Sequence, residues 1–183
     1  MASQLEFNYR INDATELRLI EPQDAEELNS LIERNRAHLK EYSAWVKDDH
    51  SIENTRSFIK RNLAQFARHE GFAIAIWHKG EMAGQIEYNY IDWANRKTEL
   101  GFWLGAGFQG KGLATESCRF LIHHAFNELR LNRIEMRCGV ENSAALLGQS
   151  ACKTSATNLS SSATSWTAMQ VFQSASTTTN RLS

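Results

Sequence analysis

Residues 105 to 115 read Gly-Ala-Gly-Phe-Gln-Gly-Lys-Gly-Leu-Ala-Thr, and they hold four of the chain's ten glycines. An apolar run at helical spacing follows, made of Leu113, Cys118, Leu121, Ile122, Ala125, Phe126 and Leu129. Glycines let a backbone approach a ligand closely, and the start of a helix leaves several N–H groups unpaired. Those donors and the partial positive charge of the helix end favour an anion by roughly 0.3–1 kcal/mol per exposed charge. Lys111 adds a full positive charge. The chemistry implied is the holding of phosphate. Proton transfer needs a different group, and Glu99 is the carboxylate nearest this segment in the chain, with Glu87 and Tyr90 as weaker candidates.

Three phosphate-binding patterns compete for the segment. Gly105-x-Gly107-x-x-Gly110 matches the dinucleotide fingerprint, which opens on a parallel, wholly apolar strand; an antiparallel hairpin precedes it here. Gly105-x-x-x-x-Gly110-Lys111 nearly completes a P-loop, yet Gly112 stands where a Ser or Thr would hold Mg²⁺. The third pattern is Gln109-x-x-Gly112-x-Ala114.

The elements that must position these residues are legible from periodicity. Glu16–Ile20 reads as a short strand. Pro22 opens a helix carrying Ala25, Leu28, Leu31 and Ile32 on one stripe, and Ser51 caps a second helix with Ile52, Phe58, Ile59, Leu63 and Phe66 inward. Phe72–Trp77 and Met82–Tyr90 form a hairpin around Lys79-Gly80, and Asp92–Arg96 turns into Thr98–Leu104. After the helix from Leu113, Asn132–Cys138 is a strand with Ile134 and Met136 on one face. The fold class is therefore α+β: a mixed, mostly antiparallel sheet flanked by helices.

Composition narrows the class. A chain of 183 residues suits one domain, and a net charge of -1 carries no electrostatic signature of nucleic-acid binding. No apolar stretch approaches the roughly 20 residues that span a bilayer, and the polar Met1–Asn12 does not read as a signal peptide. Cys118, Cys138 and Cys152 are too dispersed for a disulfide framework or zinc site, so no metal is expected and the setting is read as reduced and cytoplasmic. His78, His123 and His124 read as surface or helix-face residues. Trp45, Trp77 and Trp93 read as core or rim aromatics rather than substrate clamps.

Gln109-x-x-Gly112-x-Ala114 resembles the acetyl-CoA signature of the GNAT superfamily of N-acetyltransferases. Leu19-Ile20-Glu21-Pro22-x-Asp24-Ala25, Asn95-Arg96-Lys97-x-Glu99-Leu100-Gly101-Phe102-Trp103-Leu104 and Phe108-Gln109-Gly110-Lys111-Gly112 extend the likeness. With Ala125-Phe126-x-Glu128-Leu129-x-Leu131-Asn132-Arg133, they resemble the ribosomal-protein (RimJ/RimL) branch. The resemblance covers Leu17 to about Asn142. It implies that acetyl-CoA lies in a gap between the Thr98–Leu104 and Asn132–Cys138 strands. Phe102, Trp103 and Leu104 would pair through their backbone with the pantetheine arm. Amides of Gln109, Gly110, Lys111, Gly112, Leu113, Ala114 and Thr115 would hold the pyrophosphate, and Asn142 would contact the pantetheine. Glu99 would act as base toward an amine, by default the N-terminus of a ribosomal protein, in a monomer or homodimer.

After Glu141 the composition changes: no Asp or Glu recurs, Lys153 and Arg181 are the only charges, and Ser, Thr and Ala dominate. The family's closing helix and two strands have no readable period in Ser143–Ser183, so the C-terminal strands are expected to be missing or replaced. Lys153–Ser160, back-translated and read in a shifted frame, permits an Asn-Phe-Gly-Tyr-Lys-Phe-Glu peptide much like the missing turn, which points to a frameshift. The organisation expected is an extension (1–14), a truncated acetyltransferase domain (15–142) and an atypical tail (143–183). A poorly stable or inactive fragment, a non-catalytic coenzyme A-binding module and a nucleotide-binding protein remain the alternatives.

Overall fold

Thr15–Leu19 alternates buried and half-buried side chains, the period of a strand with one face in a core. It is the second of seven strands among the described residues. A computed structural model describes residues 7–41, 43, 45–46, 50–139 and 170–174, with backbone alone for 137–139 and 170–174. The strands are β1 (Asn8–Asn12), β2 (Thr15–Leu19), β3 (Phe72–His78), β4 (Glu81–Asp92), β5 (Lys97–Leu104), β6 (Arg133–Gly139) and β7 (Gln170–Ser174). The helices are α1 (Ala25–Arg34), α2 (Arg36–Lys40), α3 (Ile52–Ala67) and α4 (Leu113–His123), the last continued by one wider π-type turn over His124–Glu128. The strands lie in chain order, antiparallel from β1 to β5 and parallel from β5 through β6 to β7.

Helices cover both faces of the sheet. On one face α4 packs Cys118, Leu121 and Ile122 against Leu17, Ile74, Ile76, Ile86, Tyr88 and Leu100. On the other, α1 and α3 pack Leu28, Leu31 and Ile59 against Ala73, Ala75, Met82 and Trp103. β3 is therefore buried on both sides from Phe72 to Ile76, with isoleucine toward α4 and alanine toward the paired helices. Asn62 ties α3 to this strand: its amide donates to the Ala73 carbonyl at 2.9 Å and its oxygen accepts from the Ala73 N–H. The α3 start is a capping box in which Ser51 and Asn54 satisfy each other's backbone N–H.

Three elements depart from the sequence reading. Asn8–Asn12, placed in the N-terminal extension, pairs with β2 as a hairpin, and Tyr9 stacks on Phe120 with ring centroids 3.9 Å apart. Residues 36–40 form the short helix α2. In the tail, Gln170–Ser174 lies parallel to Glu135–Gly139 as β7, where no strand period is readable. An open strand edge recruits extended backbone through its unpaired N–H and C=O groups, and this pairing needs no alternation of side chains. The residues proposed to carry a frameshift lie outside the described residues.

Leu121, on α4, is fully buried in the core between that helix and the sheet. Leu121→Ala is expected to cost about 2–5 kcal/mol of unfolding free energy, read by denaturant titration.

Candidate functional site

Parallel pairing joins β5 to β6 only from Lys97↔Arg133 to Leu100↔Met136. Both strands then continue, β5 to Leu104 and β6 to Gly139, without pairing to each other. The sheet thus opens into a gap, and one backbone edge of Gly101–Leu104 has no strand partner among the described residues. On its other edge this stretch stays zipped to β4 by Gly84↔Leu104, Gln85↔Trp103, Ile86↔Phe102 and Glu87↔Gly101. A segment held on one side and open on the other presents N–H and C=O groups to an extended ligand, the geometry of strand addition.

The gap leads into the glycine-rich turn. Ala106–Phe108 makes a short 3-10 turn, and Gly112 is the N-cap of α4 with φ 77°. Gly110 also has positive φ, at 72°. Side chains rarely adopt this left-handed region, so glycine is needed at both positions for backbone reasons. A Cβ built on either would meet nothing within 4 Å, so the space beside the turn is open to ligand atoms. Gly112 offers no side chain to cap the helix, leaving the first-turn N–H groups without an N-cap acceptor. Lys111 is exposed, its ammonium 5.2 Å from the Phe108 ring centre. This donor-rich, cationic concavity fits a pyrophosphate.

On the α1–α3 side of the sheet lies a pocket of about 470 Å³. Leu28, Ile32, Trp45, Phe58 and Trp103 form its apolar walls, and Gln85 and Glu87 of β4 form part of its lining. Trp103 joins the two halves of the site. Its backbone belongs to the open stretch of β5, while its ring, only 8% exposed, lines the pocket 6.0 Å from the Trp45 ring. Glu87 sits directly across from Gly101. Burial pushes the Glu87 carboxyl above its ordinary range; a hydrogen bond from Gln85 (3.1 Å) pulls the other way, and the Glu99 charge pushes it up again. One extra residue on β4, Asn89, bulges between the Tyr88↔Leu100 and Tyr90↔Glu99 pairs and donates to Glu99 Oε1 at 2.9 Å. The bulge thus gathers two carboxylates and an amide around Gly101.

Most residues singled out in the sequence fall into this arrangement. Phe102, Trp103 and Leu104 occupy the open stretch, and Gln109 to Thr115 form the turn and the first turn of α4. Glu99 lies on β5, half-buried and bonded to Asn89, whereas Glu87 is the carboxylate that lines the pocket. Asn142 lies outside the described residues. Trp45, read as a core or rim aromatic, is 45% exposed and lines the pocket. His124 packs on the ring of Tyr88, and burial lowers its pKa. Sequence reasoning missed Asn35, which accepts from the Ala106 N–H at 2.8 Å and donates to the Leu31 carbonyl at 2.8 Å, tying α1 to the turn. An Asn at a helix end was its only sequence signal.

The sheet, the gap and the turn define a class, and comparison with known proteins agrees. The profile described as "Acetyltransferase (GNAT) domain" matches residues 15–146. The chain belongs to this family and is an acyltransferase of the GNAT type. It is 35% identical over 137 residues to the protein named "Putative ribosomal N-acetyltransferase YdaF" of Bacillus subtilis (strain 168), covering 74% of this chain and 75% of that one. It is 28% identical over 133 residues to the ribosomal-protein-serine acetyltransferase of Escherichia coli (strain K12), covering 73% and 74%. Among solved structures, the RimL ribosomal L7/L12 alpha-N-protein acetyltransferase in complex with coenzyme A superposes with a TM-score of 0.77 at 26% identity, over 80% of this chain and 82% of that one. The microcin C7 self immunity acetyltransferase MccE, in complex with acetyl-CoA and AMP, gives 0.73 at 30%, over 78% and 79%.

Among the described residues, no group of three or more His, Cys, Asp or Glu could hold a metal ion, and no helix is long and apolar enough to cross a membrane. Gly110→Ala and Gly112→Ala are each expected to cost about 1–2 kcal/mol of stability, because an L residue pays that for left-handed backbone. Gly107→Ala, where φ is not positive, is expected to be near neutral. Denaturant titration of the three variants reads the difference.

Proposed function

We propose that the protein transfers the acetyl group of acetyl-CoA to a primary amine, preferentially the α-amine of a protein N-terminus. The observation that carries this reading is Trp103: one residue supplies backbone to the open β5 edge and a ring to a pocket holding a carboxylate with a raised pKa. Two neighbours that share the fold hold acetyl-CoA or coenzyme A, and RimL is named for the N-terminus of ribosomal L7/L12. Attack by the neutral amine on the acyl carbon of acetyl-CoA would form the amide C–N bond as the thioester C–S bond breaks, and coenzyme A would leave as a thiolate that takes its proton from solvent. The catalytic unit is assigned to residues 15–142, between the extension and the atypical tail.

In this reading the backbone amides from Gln109 to Thr115 and the Lys111 ammonium hold the pyrophosphate. The backbone of Phe102, Trp103 and Leu104 pairs with the pantetheine arm along the open edge, and Asn142 adds a side-chain contact. Glu87 accepts the proton that the amine must lose. Glu99 keeps Glu87 basic through its charge and is the second carboxylate for a proton relayed by water. The base strength favours an α-amine. A free α-ammonium titrates near 7.7–8.0 and a lysine near 10.4, so a raised carboxylate lies much closer to the former.

The pH dependence follows from the direction of the Glu87 shift. A protonated Glu87 cannot accept a proton, so the acidic limb of kcat/KM is expected above the usual carboxylate range. A raised folded pKa also means that the folded chain binds this proton more tightly than the unfolded one. That contribution to stability is present at low pH and is lost as pH rises through the raised value. Glu87→Gln is therefore expected to reduce kcat by about 10²–10⁴-fold while leaving the protein at least as stable at neutral pH. Glu99→Gln is expected to move the acidic limb toward lower pH. Acetyl transfer to N-terminal peptides, followed by mass shift against pH with parallel thermal melts, measures all three effects. An unchanged rate in Glu87→Gln would remove Glu87 from the mechanism. No transfer by the native chain, with coenzyme A still bound, would identify a non-catalytic binding module.

A further inference from the structure

Most polar groups lining the pocket are occupied within the fold. Thr55 donates its hydroxyl proton to Asn29 Oδ1 at 3.0 Å, so the 2.9 Å contact with His50 has imidazole Nε2–H donating to Thr55. Asn54 is committed to the capping box with Ser51, and Gln85 to Glu87. Among the described lining residues, the two charged groups open to a ligand are Glu87 on the sheet, which keeps its bond from Gln85, and Arg61 on α3.

Arg61 differs from the other arginines of these helices. Arg56 pairs with Glu26 at 2.8 Å, Arg36 pairs with Glu33, and Arg34 donates to the Ser30 carbonyl at 3.3 Å. Arg61 is exposed, lines the pocket, and has no ion pair or hydrogen bond among the described residues. Asn54, Phe58 and Arg61 stand at i, i+4 and i+7, so they run along one stripe of α3 for about 10 Å. That stripe carries the cation along the wall, while the carboxylate belongs to β4. The Trp45 and Trp103 rings, tilted by 49°, supply aromatic walls to the same pocket. A volume of about 470 Å³ falls in the range that houses a drug-sized ligand, far more than an amino group alone requires.

We propose that the pocket selects amine acceptors that also carry an anionic group, carboxylate or phosphate, and that Arg61 is the residue determining this specificity. The inference rests on the acetyl-transfer reading above. The amine approaches as an ammonium toward Glu87, the body of the acceptor lies along the tryptophan walls, and the anion reaches the guanidinium. Arginine suits this role because its planar fork meets carboxylate or phosphate with two donors. Its exposure keeps the gain modest, about fivefold in affinity.

The test uses the full chain, acetyl-CoA and peptides that share an N-terminal serine and differ only in the second to fourth residues. One set carries Asp, a matched set Asn, a third phosphoserine and a fourth Lys. The native chain is expected to favour the Asp set over the Asn set by about fivefold in kcat/KM, and the phosphoserine set shows whether phosphate is the preferred anion. Arg61→Gln is expected to erase the ratio, Arg61→Lys to keep part of it, and Arg61→Glu to turn preference toward the Lys set. An equal ratio in the native chain and all three variants overturns the proposal. Calorimetric titration of the same peptides with coenzyme A present reads the preference without turnover. Asp preference without acetylation would leave the selectivity standing and overturn the catalytic reading; binding without preference, or no binding, would overturn the selectivity itself.

Discussion

The parting of β5 from β6 after Leu100↔Met136 is the constraint on which the rest of the site depends. Below that point the two strands are clamped. Glu135 is buried at 4% exposure, and Arg133 at 2.9 Å and Lys97 at 3.8 Å both reach its carboxylate. A buried carboxylate with one partner removed is strongly destabilised, so the cations on both strands hold the closed end of the gap shut. Above it, β5 remains a strand because β4 pairs with it as far as Leu104. The backbone groups facing the gap need partners from water or a ligand. Fold and ligand chemistry are thus the same statement about one strand edge.

What turns this edge into a site is its attachment to both faces of the molecule. On one face, Tyr88 donates its hydroxyl to the Leu121 carbonyl, linking β4 to the α4 helix whose first turn is the proposed anion cradle. Burial raises the Tyr88 pKa and keeps that donor protonated. On the other face, Asn35 joins α1 to the turn before α4, the Gly105 N–H bonds the Ala83 carbonyl at 2.9 Å, and Gln109 reaches His38 of α2 at 2.8 Å. The cradle is therefore anchored to the helices that wall the pocket. The glycine-rich turn and the pocket share a framework, and Trp103 sits at its centre.

The sequence made the framework legible where period and turn chemistry agree. Alternation around Leu17, the Lys79-Gly80 turn and the apolar stripe from Leu113 each place an element correctly, because β2 and α4 turn one face to the core and the turn is exposed at the end of a buried strand. The glycine-rich turn was legible because Gly110 and Gly112 both take left-handed backbone angles and the signature residues surround them. The setting of the candidate carboxylates was not. Glu99 ranks first by its nearness in the chain and Glu87 second, yet the antiparallel register sets Glu87 across from Gly101, and register across strands cannot be counted along one strand. The bulge at Asn89 was invisible for the same reason. Trp45 was hidden because it lies between helices, where no period says which way a ring turns. β7 carries no alternation, since its placement depends on the open edge of β6.

Hydrogen–deuterium exchange of the full chain, with and without acetyl-CoA, tests the open edge most directly. If the edge of β5 receives the ligand, amides in Gly101–Leu104 and Gln109–Thr115 gain protection together, while those of the β1–β2 hairpin stay unchanged. Protection of the glycine-rich turn alone, with Gly101–Leu104 exchanging as before, would contradict a role for the gap. It would leave only an anion site at the start of a helix.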